Sequence, residues 1–135
     1  MMRVSIAGAD QVDNIWPDFA ERFQKACDRF RGDLSSGILW QMCRAGDAML
    51  VVAHDDERAW MASVWRFYTW PSGTVFKCLC LAGERPDLWT NEAREFASNI
   101  ARAGGATTIS ANGRSGWKRL FPDAMEVCHV YEVTL

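Results

Sequence analysis

A chain of 135 residues, 49% hydrophobic and 24% charged, has the length and balance of one globular domain. Its seven tryptophans and seven phenylalanines supply a core large enough for that size. A net charge of −2, with acids and bases interspersed, argues against nucleic-acid coating, which needs a basic face.

Residues 2–7 read as a first strand. Asp10 is placed to cap a helix running to about Phe30, with Val12, Trp16, Phe19, Phe23, Cys27 and Phe30 at three- and four-residue steps. Pro17 falls inside that pattern and predicts a kink or a split. Ser35 or Ser36 caps a second helix with the stripe Ile38, Leu39, Met42 and Cys43, and Gly46 ends it. The period then changes. Residues 48–54 and 58–70 read as strands of a hairpin, and 74–81 as the next strand after Pro71-Ser72-Gly73. Trp60, Ala62, Val64, Arg66, Tyr68 and Trp70 share one face of the long strand; Met61, Ser63, Trp65 and Phe67 share the other. Residues 88–103 form a third helix, stopped by Gly104-Gly105. A strand over 107–111, a short helix over 116–121 and one or two strands over 125–135 complete the order β-α-α-β-β-β-α-β-α-β. The expected fold is α/β (α+β): a mixed, mainly antiparallel sheet of about six or seven strands with about four helices.

The strand–loop–helix–strand unit over 79–111 is a right-handed parallel crossover. Its first corner lies at a helix N-terminus, where outward N–H groups can hold an anion. That corner is the first candidate for a small-molecule site.

The five cysteines, Cys27, Cys43, Cys78, Cys80 and Cys128, form no C-x-x-C pair. Cys78 and Cys80, two apart on a strand, are expected to share a face and lack zinc-site spacing. With two histidines in the chain, no metal is expected. The thiols read as reduced, and the expected location is cytoplasm. The opening M-M-R-V-S-I-A-G has no apolar signal region, and no apolar run approaches a membrane span.

In element order the whole chain resembles the GNAT superfamily, N-acyltransferases that use acetyl-CoA. The stretch Gly-Arg-Ser-Gly-Trp-Lys-Arg-Leu-Phe over 113–121 looks like small GNAT-like proteins of tailed bacteriophages. The resemblance implies a Q/R-x-x-G-x-G/A loop that cradles the CoA pyrophosphate. Here that stretch is Arg85-Pro86-Asp87-Leu88-Trp89-Thr90. Arg85 matches the first position, while Leu88 and Thr90 stand where glycines are expected. Pro86 lacks an N–H, and Glu84 and Asp87 add negative charge beside a phosphate site. Gly83 is the glycine that remains nearby. As plain structure the loop is a capped turn with Asp87 at the helix N-cap.

The resemblance implies acetyl-CoA as cofactor, with Leu81, Gly83, Arg85, Trp89, Thr90, Asn112 and Arg114 as its binding residues. Arg85, Arg114 and Arg119 are the cations for its phosphates. It also implies an Asn, matched by Asn112, and a Leu-Tyr pair whose phenol acts as general acid. Leu120-Phe121 stands at that pair, and phenylalanine has no proton to give. Tyr68 and Tyr131 are the two phenols. The catalytic candidates are Glu84 and Tyr131. His54 and His129 are further candidate bases, with exposed-turn and packed-strand readings beside the catalytic one. Cys43 and Cys80 lack a neighbouring histidine that would make a nucleophile.

The turn 113–119 has two readings. Gly113 and Gly116 permit positive φ and Trp117 plugs helix against sheet; or Arg114, Lys118 and Arg119 bind phosphate, nucleic acid or an acidic protein. Two functions follow. One is an acetyltransferase acting mainly by proximity, with the backbone of residues 79–81 polarising the thioester. The other is a non-catalytic scaffold for a phage or host protein, or for a second copy, with Trp60, Tyr68 and Trp70 as a candidate interface. No membrane or nucleic-acid partner is expected.

Overall fold

In the computed structural model, which describes residues 1–29, 32–112, 117–127, 131 and 133–135, five strands form one sheet in chain order. They are β1 (Arg3–Ala7), β2 (Met49–His54), β3 (Ala59–Trp70), β4 (Gly73–Gly83) and β5 (Thr108–Ala111). The first four pair antiparallel, and β5 joins β4 in parallel. A parallel neighbour requires a crossover, which α4 (Thr90–Ala103) supplies.

The early helical region splits at its proline. Helix α1 (Val12–Ile15) gives way to a 3₁₀ turn over Trp16–Asp18, and α2 (Ala20–Arg29) follows. The cap position of α1 is held by Gln11, not by the expected Asp10. In α3 (Ser36–Ala45), Ser35 Oγ accepts the Ile38 N–H at 3.2 Å. Gly46 closes that helix at φ +81°, the left-handed conformation that glycine adopts without a Cβ clash.

Helices α1 to α3 cover one face of the sheet. Phe19, Phe23 and Leu39 pack there on Leu50, Ala62 and Val64, all buried. The other face is covered by α4 and the short α5 (Trp117–Leu120). Ala93, Ala97 and Ala101 line the inner side of α4. Their small size lets the helix lie close to Met61, Trp65 and Phe76.

Two expectations are corrected here. First, the sheet has five strands among the described residues, not six or seven. Residues 121–127, 131 and 133–135 lie outside any strand, and Met125, Val127, Val133 and Leu135 are exposed. Alternation lends a segment β-propensity, but a strand also needs a paired edge. Second, Cys78 and Cys80 do not share a face. Val64 is registered with Cys80 and Trp65 with Cys78, so Leu79 is an inserted residue, a β-bulge. The extra residue shifts the side-chain alternation by one. Cys80 therefore joins Phe23 under the first helices, and Cys78 joins Phe76 under α4.

Candidate functional site

The bulge sits where the sheet opens. Strands β4 and β5 are registered from Val75 with Thr108 to Cys78 with Ala111, and there β5 ends. Strand β4 runs on to Gly83. Leu79 is skipped by β3 and lies past the last β5 partner, so it has no registered partner on either side. The two strands part, and a cleft of about 410 Å³ fills the gap. One wall is the end of α2 with Asp33 and Leu34, another is Trp89 and Thr90, and a third is Asn112 with Trp117, Arg119 and Leu120. Leu79 and Leu81 form part of its floor. The lining is mainly apolar, with Arg29, Asp33, Thr90, Asn112 and Arg119 as its polar groups.

Of the residues expected to hold a cofactor, Leu81, Trp89, Thr90 and Asn112 line this cleft. Gly83 and Arg85 lie beside it and are not part of the lining; Arg114 lies outside the described residues. Gly83 has a packing reason for being glycine. A Cβ there would stand 3.0 Å from Met61 Cβ and 3.0 Å from Trp89 Cζ2. Its absence lets the buried indole lie across the end of β4, where Trp89 Nε1 donates to the Glu84 carbonyl at 2.8 Å.

The β4–α4 loop is closed on itself. Arg85 adopts φ +52°, left-handed and strained for a residue with a Cβ. Its Nε and Nη2 donate to Asp87 Oδ1 at 3.0 Å and Oδ2 at 2.8 Å, a bidentate pair in solvent. Arg85 holds the Asp87 carboxyl below the usual carboxylate range, and Asp87 holds the guanidinium above its own ordinary value. The N–H groups of Leu88 and Trp89 bond the carbonyls of Arg85 and Pro86 in a 3₁₀ turn over Pro86–Leu88. The Glu84 N–H bonds the Trp60 carbonyl. The expected N-cap is corrected as well: Trp89 holds that position in α4, because Asp87 is drawn into the 3₁₀ turn by Arg85.

The catalytic candidates lie apart from the cleft. Glu84 is flanked by Arg22 Nη1 at 3.3 Å and Arg58 Nη2 at 3.5 Å, in a separate small recess with Asp18. Tyr131 is exposed and lies outside any strand. His54, at the end of β2, lies with its Nε2 3.2 Å from Ser5 Oγ. His129 lies outside the described residues. Desolvation pushes the Cys43 and Cys80 thiols up to about 12, so at neutral pH each is almost wholly the thiol.

The sequence reading gave no site role to the α2 side of the cleft: Cys27, Arg29, Asp33 and Leu34. The one available signal was the four-residue step from Phe23 to Cys27, which puts both on the buried side of α2.

No family model matches the chain, and no curated protein matches it. Solved structures do. A probable acetyltransferase superposes with a TM-score of 0.70 at 17% identity, covering 98% of this chain and 96% of the other. A predicted acetyltransferase from Clostridium acetobutylicum, solved with acetyl-CoA, gives a TM-score of 0.71 at 10% identity, over 99% and 96% of the two chains. A ribosomal-protein-alanine N-acetyltransferase from Brucella melitensis biovar Abortus 2308 gives 0.70 at 10% identity, over the full length of both. What this chain shares with them is the fold, an α+β, GNAT-like architecture; in this chain it is built on a mixed, mostly antiparallel sheet with five strands among the described residues. Among the described residues no helix is long and apolar enough to cross a membrane.

Proposed function

We propose that this chain is an acetyltransferase-type protein, one domain over residues 1–135, whose cleft takes the thioester arm of an acyl-CoA. The observation that carries this reading is the parting of β4 and β5 at the Leu79 bulge. It leaves a mainly apolar slot, and in this reading the backbone of residues 79–81 meets the acyl carbonyl there. The Clostridium neighbour with acetyl-CoA supports the choice of ligand.

The fit to acetyl-CoA is uneven. The slot suits the apolar pantetheine arm, flanked by Leu81, Trp89 and Asn112. The loop does not suit the pyrophosphate: three of its amides are occupied, Pro86 has none, and Arg85 is bound by Asp87. In this reading the phosphates fall to Arg119 and Arg29 on the cleft walls, with Arg114 a further cation by its place in the sequence. Transfer to an amine would then rest on proximity. No proton-transfer residue is assigned, since Glu84 and Tyr131 do not line the slot and Phe121 stands at the tyrosine position.

The closed loop and Phe121 favour a second reading, a scaffold without catalysis. Its partner would be a phage or host protein, as the resemblance of residues 113–121 implies, or a second copy. It would act in the host cytoplasm or in a virion. Isothermal titration with acetyl-CoA and CoA, with a thermal-shift assay, separates the two. Micromolar binding and a raised melting temperature support the first reading. No binding at millimolar ligand leaves the second.

A further inference from the structure

Two thiols meet on the wall of the cleft. Cys27 lies in the last part of α2, and Cys80 lies on β4 one residue past the bulge. Cys80 Sγ is 3.8 Å from the Phe23 carbonyl, one helical turn before Cys27. The two thiols lie near enough to perturb each other electrostatically. Both are free thiols, and both line the cleft. Cys27 is half-buried, while Cys43, Cys78 and Cys80 are buried. The bulge creates this meeting, because without the inserted Leu79 the shared alternation would turn Cys80 to the α4 side with Cys78.

We propose that Cys27 and Cys80 form a modification site for a low-molecular-weight disulfide, which enters the cleft and leaves the pair joined as a cystine. The Cys27 thiolate attacks one sulfur of the disulfide R–S–S–R. A Cys27–S–S–R bond forms and one R–S⁻ departs. The Cys80 thiolate then attacks the Cys27 sulfur, the Cys27–Cys80 bond forms, and the second R–S⁻ departs. The two cysteine protons end on the two departing thiolates. Two cysteines are oxidised and one external disulfide is reduced to two thiols.

The exposure order gives the roles: Cys27 is reached first, and Cys80 resolves. Desolvation raises both thiols; Asp28 adds to this at Cys27, and Arg29 opposes it at Cys80. Asp33 and Arg119 are the other charges on the cleft. The exchange is therefore slow at neutral pH and quickens as pH rises. The product ties the end of α2 to β4 across the cleft wall. This proposal needs the thiol pair and the cleft, and it stands whether or not acetyl-CoA binds.

The test is to incubate the folded full-length chain with glutathione disulfide, block free thiols, digest, and map the links by mass spectrometry. The expected product is a Cys27–Cys80 cross-linked peptide that dithiothreitol reverses. It is lost in Cys27→Ser and Cys80→Ser and kept in Cys43→Ser, with circular dichroism confirming the fold of each. In Cys80→Ser, glutathione stays on Cys27. Glutathione held on wild-type Cys27, a link through Cys43, Cys78 or Cys128, or a link formed only in denaturant overturns the proposal. The wild-type map decides alone if a variant fails to fold.

Discussion

The cleft between β4 and β5 and the loop that leads from β4 into α4 are neighbours, yet they differ in what they leave available. At the cleft, β5 stops and Leu79 is left without a registered partner, so backbone and apolar surface are open to a ligand. At the loop, the Leu88 and Trp89 amides bond loop carbonyls, and guanidinium and carboxylate take up each other. A ligand with an apolar arm and an anionic end would find one half of its site open and the other half closed. In the proposed reading the slot takes the arm of the ligand, and cations other than Arg85 meet its anionic end, since fold alone fixes neither.

Trp89 belongs to both regions, and its loss should have the largest effect. The buried indole lines the cleft, covers Met61 and Gly83, and bonds the Glu84 carbonyl. Trp89→Ala should cost about 3–5 kcal/mol of stability in urea unfolding. Trp89→Phe keeps most of the packing and leaves the carbonyl to water, so its cost should be about 1 kcal/mol. Equal costs for the two would mean that the hydrogen bond, not the burial, joins loop to cleft.

Gly83→Ala comes next. The new methyl meets Met61 Cβ, which is fixed to the β3 backbone and cannot swing away. Overpacking of this kind costs about 1–3 kcal/mol. A neutral result would show that the end of β4 is looser than its contacts imply.

On binding, the two regions should part clearly. Leu81→Glu places a carboxylate in the apolar wall and should weaken acetyl-CoA about tenfold or more, near 1.4 kcal/mol. Arg85→Glu should change the affinity less than about twofold, within roughly 0.4 kcal/mol, because Arg85 is already held by Asp87. Calorimetry on both variants settles the contrast. A large loss from Arg85→Glu with none from Leu81→Glu would reverse it and return the anion site to the loop.

Much of the scaffold was legible because its signals are local. Ser35 caps, Gly46 stops, Pro17 divides, and the crossover follows from strand–helix–strand length. The site was less legible because its decisive features are not local. Nothing in Leu79-Cys80-Leu81 marks an inserted residue; the bulge exists only in the register with Val64 and Trp65. The Arg85–Asp87 clamp depends on a left-handed Arg85, a conformation that an arginine in sequence does not announce. The chain after Phe121 carries strand-like alternation, but alternation names no partner edge, and its described residues lie outside any strand.

The smallest effect bears on the clamp itself. Asp87 is exposed, and Arg85 lowers its pKa chiefly through the hydrogen bonds they share. A carboxyl lowered in the folded state contributes stability above its unfolded pKa, and loses it as pH falls through the folded one. The unfolded value is about 3.9, so the contribution is intact at neutral pH and fades only below about pH 4. Asp87→Asn should remove that low-pH component while leaving the slope near neutrality unchanged. An NMR titration of the Asp87 carboxyl reads the same quantity directly. Its midpoint should lie below the ordinary value in the wild type and return to it in Arg85→Ala. A wild-type midpoint already at the ordinary value would mean that Arg85 is not held by Asp87 in solution. The guanidinium would then be free to meet an anion at the mouth of α4, and the loop would be as available as the cleft.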